Sequence, residues 1–221
     1  MIDLLEEYIC RSLPEWGDFS TNPNLTKKVS HTGTFLPYYG NTVVFDLSSR
    51  TKQALQSLQE ALYENAGWML SQKLNPSTFH MTLHDLVNGS EWSAELRWAM
   101  EEAEAKAKPI LESRRGQPPL RMYATWLFNM VNTSIVLGLA PADADSRRRL
   151  DEMYIALERV VPLGYALTPH ITMAYFKPDT YTQHDLNCLR RALNPVELEA
   201  ELRLEDLVYQ EFWDMNHYET G

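Results

Sequence analysis

The sequence predicts an α+β protein built from two similar lobes, and three observations lead to this prediction. His80-Met81-Thr82-Leu83 is repeated in the second half of the chain as His170-Ile171-Thr172-Met173. Each copy lies in the middle of a strand–helix–strand–helix–strand pattern, and such alternation is typical of α/β and α+β folds. A break rich in glycine and proline, Arg114–Pro119, separates the two patterns. Two units related by a two-fold axis would place the motif strands side by side in a central cleft.

The first unit opens at Asn41-Thr42 with a run of β-branched and apolar residues. Its elements follow from apolar periodicity, turn residues and helix-capping residues. They are a strand over 42–47, a helix over 50–71 capped by Ser48 or Ser49, a turn at 75–77, the motif strand over 78–87 and a helix from Ser90 towards Leu111.

The second unit opens at Asn132-Thr133, and its histidine follows at nearly the same spacing as in the first unit. Two strands, 120–130 and 133–139, meet at Val131-Asn132 and predict a tight hairpin. The elements after the hairpin are a helix over 142–161, the motif strand over 168–176, a helix opened by a capping box from Thr182 to Asp185, and a strand over 202–213.

The predicted domain boundaries follow from these two units. Residues 33–213 form one two-lobed domain, with lobes of 33–116 and 117–213 between which strands could be exchanged. Residues 1–32 are an N-terminal extension that contains a short helix over 2–13, and residues 214–221 are a tail.

The acidic composition restricts the partners that we expect. The formal net charge is −10, whereas affinity for a long nucleic-acid duplex comes from Lys and Arg side chains that neutralise phosphates. We therefore expect a small or terminal substrate and no long duplex. The apolar runs are much shorter than the ~20 residues of a membrane-spanning helix, and the acidic start differs from a signal peptide. Two distant cysteines, Cys10 and Cys188, predict no disulfide framework, so we expect a cytoplasmic protein that does not bind membranes.

The two motifs offer the groups that acid–base catalysis on a phosphate requires. Side chains alternate between the faces of a strand, so each histidine shares a face with the threonine two residues on. An imidazole with its ordinary pKa of about 6.5 can act as a base or, when protonated, as an acid. Two threonine hydroxyls could donate to the two non-bridging oxygens of a phosphate diester. This set fits phosphoryl transfer better than acyl transfer, which needs a nucleophile and an oxyanion hole.

The duplicated motif resembles that of the two-histidine (2H) phosphoesterase superfamily. Four segments are similar to a largely uncharacterised subgroup of this superfamily from microbes and fungi: Gly33-Thr34-Phe35-Leu36-Pro37, Gly40-Asn41-Thr42-Val43-Val44, Ser77–Thr82 and Thr168–Tyr175. The resemblance covers residues 33–213. It implies a fold with two antiparallel sheets around a central cleft and helices outside. It also implies opening of a cyclic phosphodiester, typically the 2′,3′-cyclic phosphate of a nucleotide or an RNA 3′ end, without a metal or cofactor.

By this resemblance, His80 and His170 are the catalytic acid–base pair, and Thr82 and Thr172 bind the phosphate. Three alternatives use the same cleft. One is a metal-dependent hydrolase that uses both histidines and an acidic residue such as Asp85. Another is a module that binds a nucleotide or RNA end without turnover, and the third is an RNA ligase-like enzyme.

Four further side chains have expected positions. Tyr38 and Tyr39, in a segment rich in aromatic residues and glycine, could stack on a base as substrate-binding residues, or could close the core. His84 is expected on the same face as His80, in a hydrogen-bonding role or at the edge of the cleft. Tyr175 is expected on the opposite face from His170, in the core, if its strand is regular.

Overall fold

The computed structural model describes residues 13–221, so the helix predicted over 2–13 lies outside the described residues apart from Leu13. Within this range an eight-stranded sheet and a small two-stranded sheet are accompanied by four α-helices. The strands are β1 Phe19–Ser20, β2 Tyr39–Asp46, β3 His80–Gly89, β4 Leu120–Met130, β5 Ser134–Pro141, β6 His170–Tyr175, β7 Thr180–Tyr181, β8 Glu199–Leu202, β9 Leu207–Asp214 and β10 His217–Thr220. The helices are α1 Ser49–Ala66, α2 Ala94–Glu112, α3 Ala144–Glu158 and α4 Gln183–Ala192.

The large sheet has the strand order β10-β9-β2-β3-β6-β5-β4-β8, and all its neighbours pair antiparallel. Its two central strands, β3 and β6, are joined in the described chain by the single partner pair Met81–Ile171. The sheet therefore consists of two four-stranded halves that meet at the motif strands. The order is symmetric about this junction, which confirms the predicted α+β fold of two related halves.

The two halves exchange strands. β4 follows the first motif strand in the chain but pairs with β5 of the second half. β9 follows the second motif strand but pairs with β2 of the first half. The strand predicted over 202–213 is in fact two strands, because a 3₁₀ turn at Leu204–Asp206 separates β8 from β9 and carries the chain across the molecule. The break near residue 116 thus divides the repeats and not the folded halves.

Both ends of the described chain pack on this structure. Phe19, Leu25 and Val29 are buried in the core, and β1 pairs with β7. At the other end β10 pairs with β9 and extends the large sheet. The sequence boundaries treated these segments as an extension and a tail, whereas in the structure apolar side chains and strand pairing attach them to the domain.

Local sequence signals account for the turns and helix starts. Val131 and Asn132 both have positive φ, 46° and 60°, which a type I′ turn requires, so the predicted hairpin between β4 and β5 is confirmed. The capping box of Thr182 and Asp185 is present at the start of α4. Ser93, not the predicted Ser90, caps α2. No helix within residues 13–221 has both the length and the apolar composition to cross a bilayer.

Candidate active site

Both motif strands present their polar side chains on one face and their apolar side chains on the other. Met81 and Ile171 are completely buried, while the histidine and threonine on either side of each are partly exposed in a cavity. The predicted alternation within each motif is therefore confirmed. The buried residue between them fixes the backbone from behind and leaves the polar pair free to meet a ligand.

The register between β3 and β6 brings the four polar groups together. Because Met81 is the partner of Ile171, His80 lies across from Thr172 and Thr82 lies across from His170. Directly opposed side chains have Cβ atoms about 4.5–5.5 Å apart, and diagonal neighbours are about 7–8 Å apart. The two histidines thus occupy opposite corners of a square, with a threonine at each of the other corners. A tetrahedral anion above the square can contact all four.

A β-bulge follows the threonine in each motif. In β3, Thr82 pairs with Val44 of β2, and the neighbouring β2 residue, Val43, pairs with His84. Leu83 therefore has no partner in β2 and is the extra residue of the bulge. In the second half the same shift leaves Met173 as the extra residue. A bulge reverses which face the following side chains take. The same irregularity therefore occurs at the same place in both motif strands.

The bulges change the placement of two side chains that was predicted from regular strands. The His84 side chain is fully buried and not on the open face beside His80, but its expected hydrogen-bonding role is confirmed, because its Nε2 lies 3.0 Å from Oε1 of Glu158 in α3. Tyr175 is not in the core on the far face, because its side chain lines the same cavity as His170. Asp85 lies in the second half of β3, at the position that corresponds to Tyr175 in β6. It is exposed and faces the same cavity.

The cavity has a volume of about 850 Å³ and draws its wall from both halves. This size is typical of sites that bind a small organic ligand and is larger than one phosphate requires. The N-terminal segment contributes Lys27 and Lys28, the loop after α3 contributes residues 163–168, and the last strand contributes Tyr218. The sequence predictions missed these residues, because their place in the wall depends on how distant segments pack.

Hydrogen bonds fix the orientation of both imidazoles. Nδ1 of His170 donates to the carbonyl oxygen of Thr168 at 2.7 Å, and the backbone of Thr78 makes a hydrogen bond with His80. Because Nδ1 of His170 is engaged with a carbonyl, its hydrogen resides there in the neutral ring, and Nε2 is the atom available to a ligand. The motif geometry thus offers a basic nitrogen to the cleft.

Burial lowers the pKa of both histidines. The pKa of His80 is lowered to about 4, chiefly by desolvation and to a smaller extent by the positive charge that His170 can carry. Desolvation also lowers the pKa of His170. Both imidazoles are therefore neutral at pH 7 in the protein alone. An anion between them favours the protonated form and raises the pKa again.

The two tyrosines proposed as substrate-binding residues lie in different places. Tyr38 lines the cavity, where its ring stacks on Phe212 and the ammonium of Lys28 lies 4.7 Å from the ring centroid. These neighbours occupy ring surface that a stacked base would need. Tyr39 packs edge-on against Trp92 and, in the part of the chain that the structure describes, is outside the cavity wall.

The acidic and histidine side chains do not form a metal site within residues 13–221. No group of three or more His, Cys, Asp or Glu side chains in this range is arranged to hold a metal ion. Asp85 faces the cavity, but it lies three residues beyond Thr82, too far along the strand to complete a set with His80 and His170. The trio considered from the sequence as metal ligands is therefore not assembled.

A family model labelled 2H-phosphodiest and described as a domain of unknown function (DUF1868) matches residues 28–131. No curated protein matches the chain. A conserved protein of unknown function from Agrobacterium tumefaciens, ATU0111, is 20% identical over 92% of this chain and 93% of its own, with a TM-score of 0.64. LigT of E. coli, in its complex with 3′-AMP, is 12% identical over 83% of this chain and 95% of its own, with a TM-score of 0.54. TT0787 of Thermus thermophilus is 15% identical over 82% and 94%, with a TM-score of 0.52.

The family model labelled 2H-phosphodiest covers a little under half of the chain, and the matched part includes the first motif. The solved structures share the fold of this chain. The match begins at Lys28, before the domain start that was predicted at residue 33. This agrees with the structure, in which Lys28 lines the same cavity as His80.

Proposed function

We propose that this protein is a two-histidine phosphoesterase, a metal-independent phosphodiesterase that opens the 2′,3′-cyclic phosphate of a nucleotide or an RNA 3′ end. The observation that carries the proposal is the square of His80, Thr172, His170 and Thr82, fixed by the Met81–Ile171 pair. It provides one acid, one base and two hydroxyl donors around a single position, and both imidazoles have a defined orientation.

In the proposed reaction, one neutral histidine takes a proton from a water molecule as its oxygen attacks phosphorus. The bond between phosphorus and one ribose oxygen breaks, and the other histidine, protonated, gives its proton to that leaving oxygen. The product is a nucleoside monophosphate, and the two histidines have exchanged protonation states. Each proton transfer contributes a factor of roughly 10²–10⁴ in rate.

The lowered pKa values fit this reaction because the substrate brings the missing charge. Without an anion both histidines are neutral, which suits the base but not the acid. The negative charge of the bound diester favours protonation of one imidazole, so binding takes up a proton from solution. Thr82 and Thr172 donate to the two non-bridging oxygens, which leaves the bridging oxygen to the protonated histidine.

Cavity size and charge support a nucleotide or an RNA end as the substrate. A volume of about 850 Å³ accommodates a nucleoside beside the phosphate, whereas the net charge of −10 disfavours a long duplex. LigT, which has the same fold, was crystallised with 3′-AMP, a possible product of the proposed reaction. A cytoplasmic location stays a prediction.

The test is hydrolysis of the four 2′,3′-cyclic nucleotides and of an RNA that ends in a cyclic phosphate, with and without excess EDTA. We expect equal turnover in both conditions and a 2′- or 3′-monophosphate as product, identified by ³¹P NMR. A His80→Gln/His170→Gln double variant serves as the blank.

Three results would contradict the proposal. Loss of activity in EDTA would favour a metal-dependent hydrolase. Binding of a 3′-monophosphate without hydrolysis of any cyclic phosphate would favour a binding module. Joining of RNA ends in place of hydrolysis would favour a ligase.

A further inference from the structure

Asp85 is a carboxylate that faces the cavity and forms no salt bridge with the residues that the structure describes. Its side chain is exposed, and its Oδ1 accepts a hydrogen bond from the Thr42 hydroxyl at 3.4 Å. Among the described residues no lysine, arginine or histidine lies within ion-pair distance of it; the Lys28 ammonium, whose charge interacts with that of Asp85 over a longer distance, lies over the Tyr38 ring. An ionised carboxylate has about four acceptor positions, so most of those of Asp85 remain available to a ligand.

The distance along the strand separates Asp85 from the phosphate position. The centre of the four-residue square lies level with Met81, and Asp85 follows four residues later, one of them in the bulge. At 3.2–3.4 Å per residue this amounts to roughly 10–13 Å. Asp85 is therefore too far to contact the phosphate. It lies where the base of a nucleotide would lie if its phosphate were between the histidines.

The second half of the sheet shows that Asp85 is not part of the duplicated machinery. The equivalent position after the second bulge is Tyr175, whose hydroxyl is neutral and can donate as well as accept. Proton transfer between two equivalent histidines requires the same groups in both halves, and it does not require a carboxylate in one half alone. Asp85 therefore serves the part of the ligand that lies on one side of the phosphate, namely the sugar and base.

An exposed aromatic ring accompanies the carboxylate. Tyr165, in the loop after α3, lines the same cavity and is 59% exposed. Burial and, to a smaller extent, the charge of Asp85 raise the pKa of its phenol. A planar base could stack on this ring while its edge meets the carboxylate.

We infer that Asp85 selects guanine, by accepting two hydrogen bonds from the Watson–Crick edge of that base. A carboxylate only accepts, and guanine alone presents two adjacent donors on this edge, N1–H and the N2 amino group. Adenine and cytosine each present a donor beside an acceptor, and uracil presents one donor between two carbonyls. This inference rests on the proposed function, because it assumes a nucleotide whose phosphate lies at the histidines.

The test compares kcat/KM for the four 2′,3′-cyclic nucleotides in the wild-type protein and in Asp85→Asn. A good bidentate pair discriminates between bases by about 10- to 100-fold, and we expect that preference for guanine over adenine in the wild type. Asparagine has nearly the same shape but offers one acceptor and one donor. Asp85→Asn should therefore lower the value for guanine and raise those for adenine and cytosine.

Variants of Tyr165 provide the matched control. Tyr165→Ala should lower kcat/KM by a similar factor for all four bases, because stacking does not depend on the edge of the base. Tyr165→Phe, which keeps the ring, should lower kcat/KM less than Tyr165→Ala does, and again by a similar factor for all four bases. Ratios between bases thus separate edge recognition from general damage to the site.

Two outcomes would overturn the inference and leave the proposed function intact: equal kcat/KM for all four bases in the wild type, or an equal loss for all four in Asp85→Asn. If no cyclic nucleotide is hydrolysed, the proposed function fails, and calorimetry with 3′-GMP and 3′-AMP then tests Asp85 separately. Tighter binding of 3′-GMP that is lost in Asp85→Asn supports guanine recognition, and equal affinities overturn it.

Discussion

The two halves of the central sheet hold their histidines in the same way but surround them with different side chains. In each half a bulge follows the threonine, and a backbone hydrogen bond fixes the imidazole. Around His80 the neighbour is Tyr218, whose ring centroid lies 4.9 Å away, and the same strand continues to Asp85 at the cavity wall. On the side of His170 the cavity wall continues into Tyr175 and the loop of residues 163–168.

Under the proposed function, this difference separates two tasks within one cavity. The duplicated features are those that proton transfer needs, namely a fixed imidazole and a hydroxyl on each side of the phosphate. The unduplicated features are those that a nucleotide needs, because the sugar and base extend to one side only. In the proposed reaction the backbone of the repeat thus supports the chemistry, and side chains outside the repeat supply recognition.

The strongest test of equivalence between the halves is removal of each histidine. We expect His80→Gln and His170→Gln each to lower kcat by roughly 10²–10⁴, since both proton transfers occur in one step. The double variant should be little worse than either single variant, because residues that act as a unit are not additive. Rates are measured on the cyclic nucleotide that the wild type hydrolyses fastest, and circular dichroism melting shows whether each variant is folded. A single variant with nearly wild-type turnover would break the equivalence.

A smaller effect is expected from the two threonines. Valine has the shape of threonine without the hydroxyl, so Thr82→Val and Thr172→Val each remove one charge-assisted hydrogen bond to the phosphate. We expect kcat/KM to fall by about 10- to 100-fold in each. Thr125→Val is the control, because the Thr125 hydroxyl donates to the Gly138 carbonyl away from the cavity. Unequal losses would show that the phosphate lies closer to one half.

The motifs, the helices and the hairpin were predictable because they depend on local patterns. Alternation of His80, Met81 and Thr82 needs only a strand, and Val131-Asn132 needs only a tight turn. The bulges were not predictable in this way. An extra residue such as Leu83 is defined against the partner strand, and nothing in the sequence around it differs from a regular strand.

The consequences of the bulges explain most of the errors. They place Tyr175 in the cavity and bury His84 against Glu158, contrary to the regular pattern. The strand register also makes Thr42 of the first half equivalent to Ser134 of the second half. The match of Asn41-Thr42 with Asn132-Thr133 predicted Thr133, one position earlier. Strand exchange was foreseen only as a possibility, since pairing between distant strands depends on packing of the whole sheet.

The lowered pKa values predict that the folded protein loses stability in mild acid. In the unfolded chain a histidine binds a proton below its ordinary pKa of about 6.5, whereas folded His80 stays neutral until about pH 4. The unfolded state therefore binds more protons between these values, and the free energy of unfolding rises with pH across this window. Going from pH 7 to pH 4 should cost about 1–3 kcal/mol per fully shifted histidine.

Urea unfolding at a series of pH values measures this dependence. His80→Gln and His170→Gln should each flatten the profile with the same sign, since burial lowers the pKa of both side chains. A wild-type profile that is flat between pH 6.5 and pH 5 would contradict the burial of the imidazoles. A profile flattened by one variant alone would show that the halves bury their histidines unequally.

The smallest effect is expected at Tyr218. Of the two motif histidines, only His80 has a ring contact with Tyr218 among the described residues. Its ring meets the imidazole edge-on with an interplanar angle of 66° and shields it from water. Tyr218→Leu should raise the pKa of His80, because water then reaches the ring, and should leave that of His170 unchanged. An aromatic pair of this kind contributes about 0.5–1.5 kcal/mol, so kcat should fall only about 2- to 10-fold.

Tyr218→Phe keeps the ring, so in this variant His80 should titrate as it does in the wild type. NMR titration of the two imidazole C2 protons decides the point: equal shifts at both histidines would mean that β10 supports the whole cleft and not the first half alone.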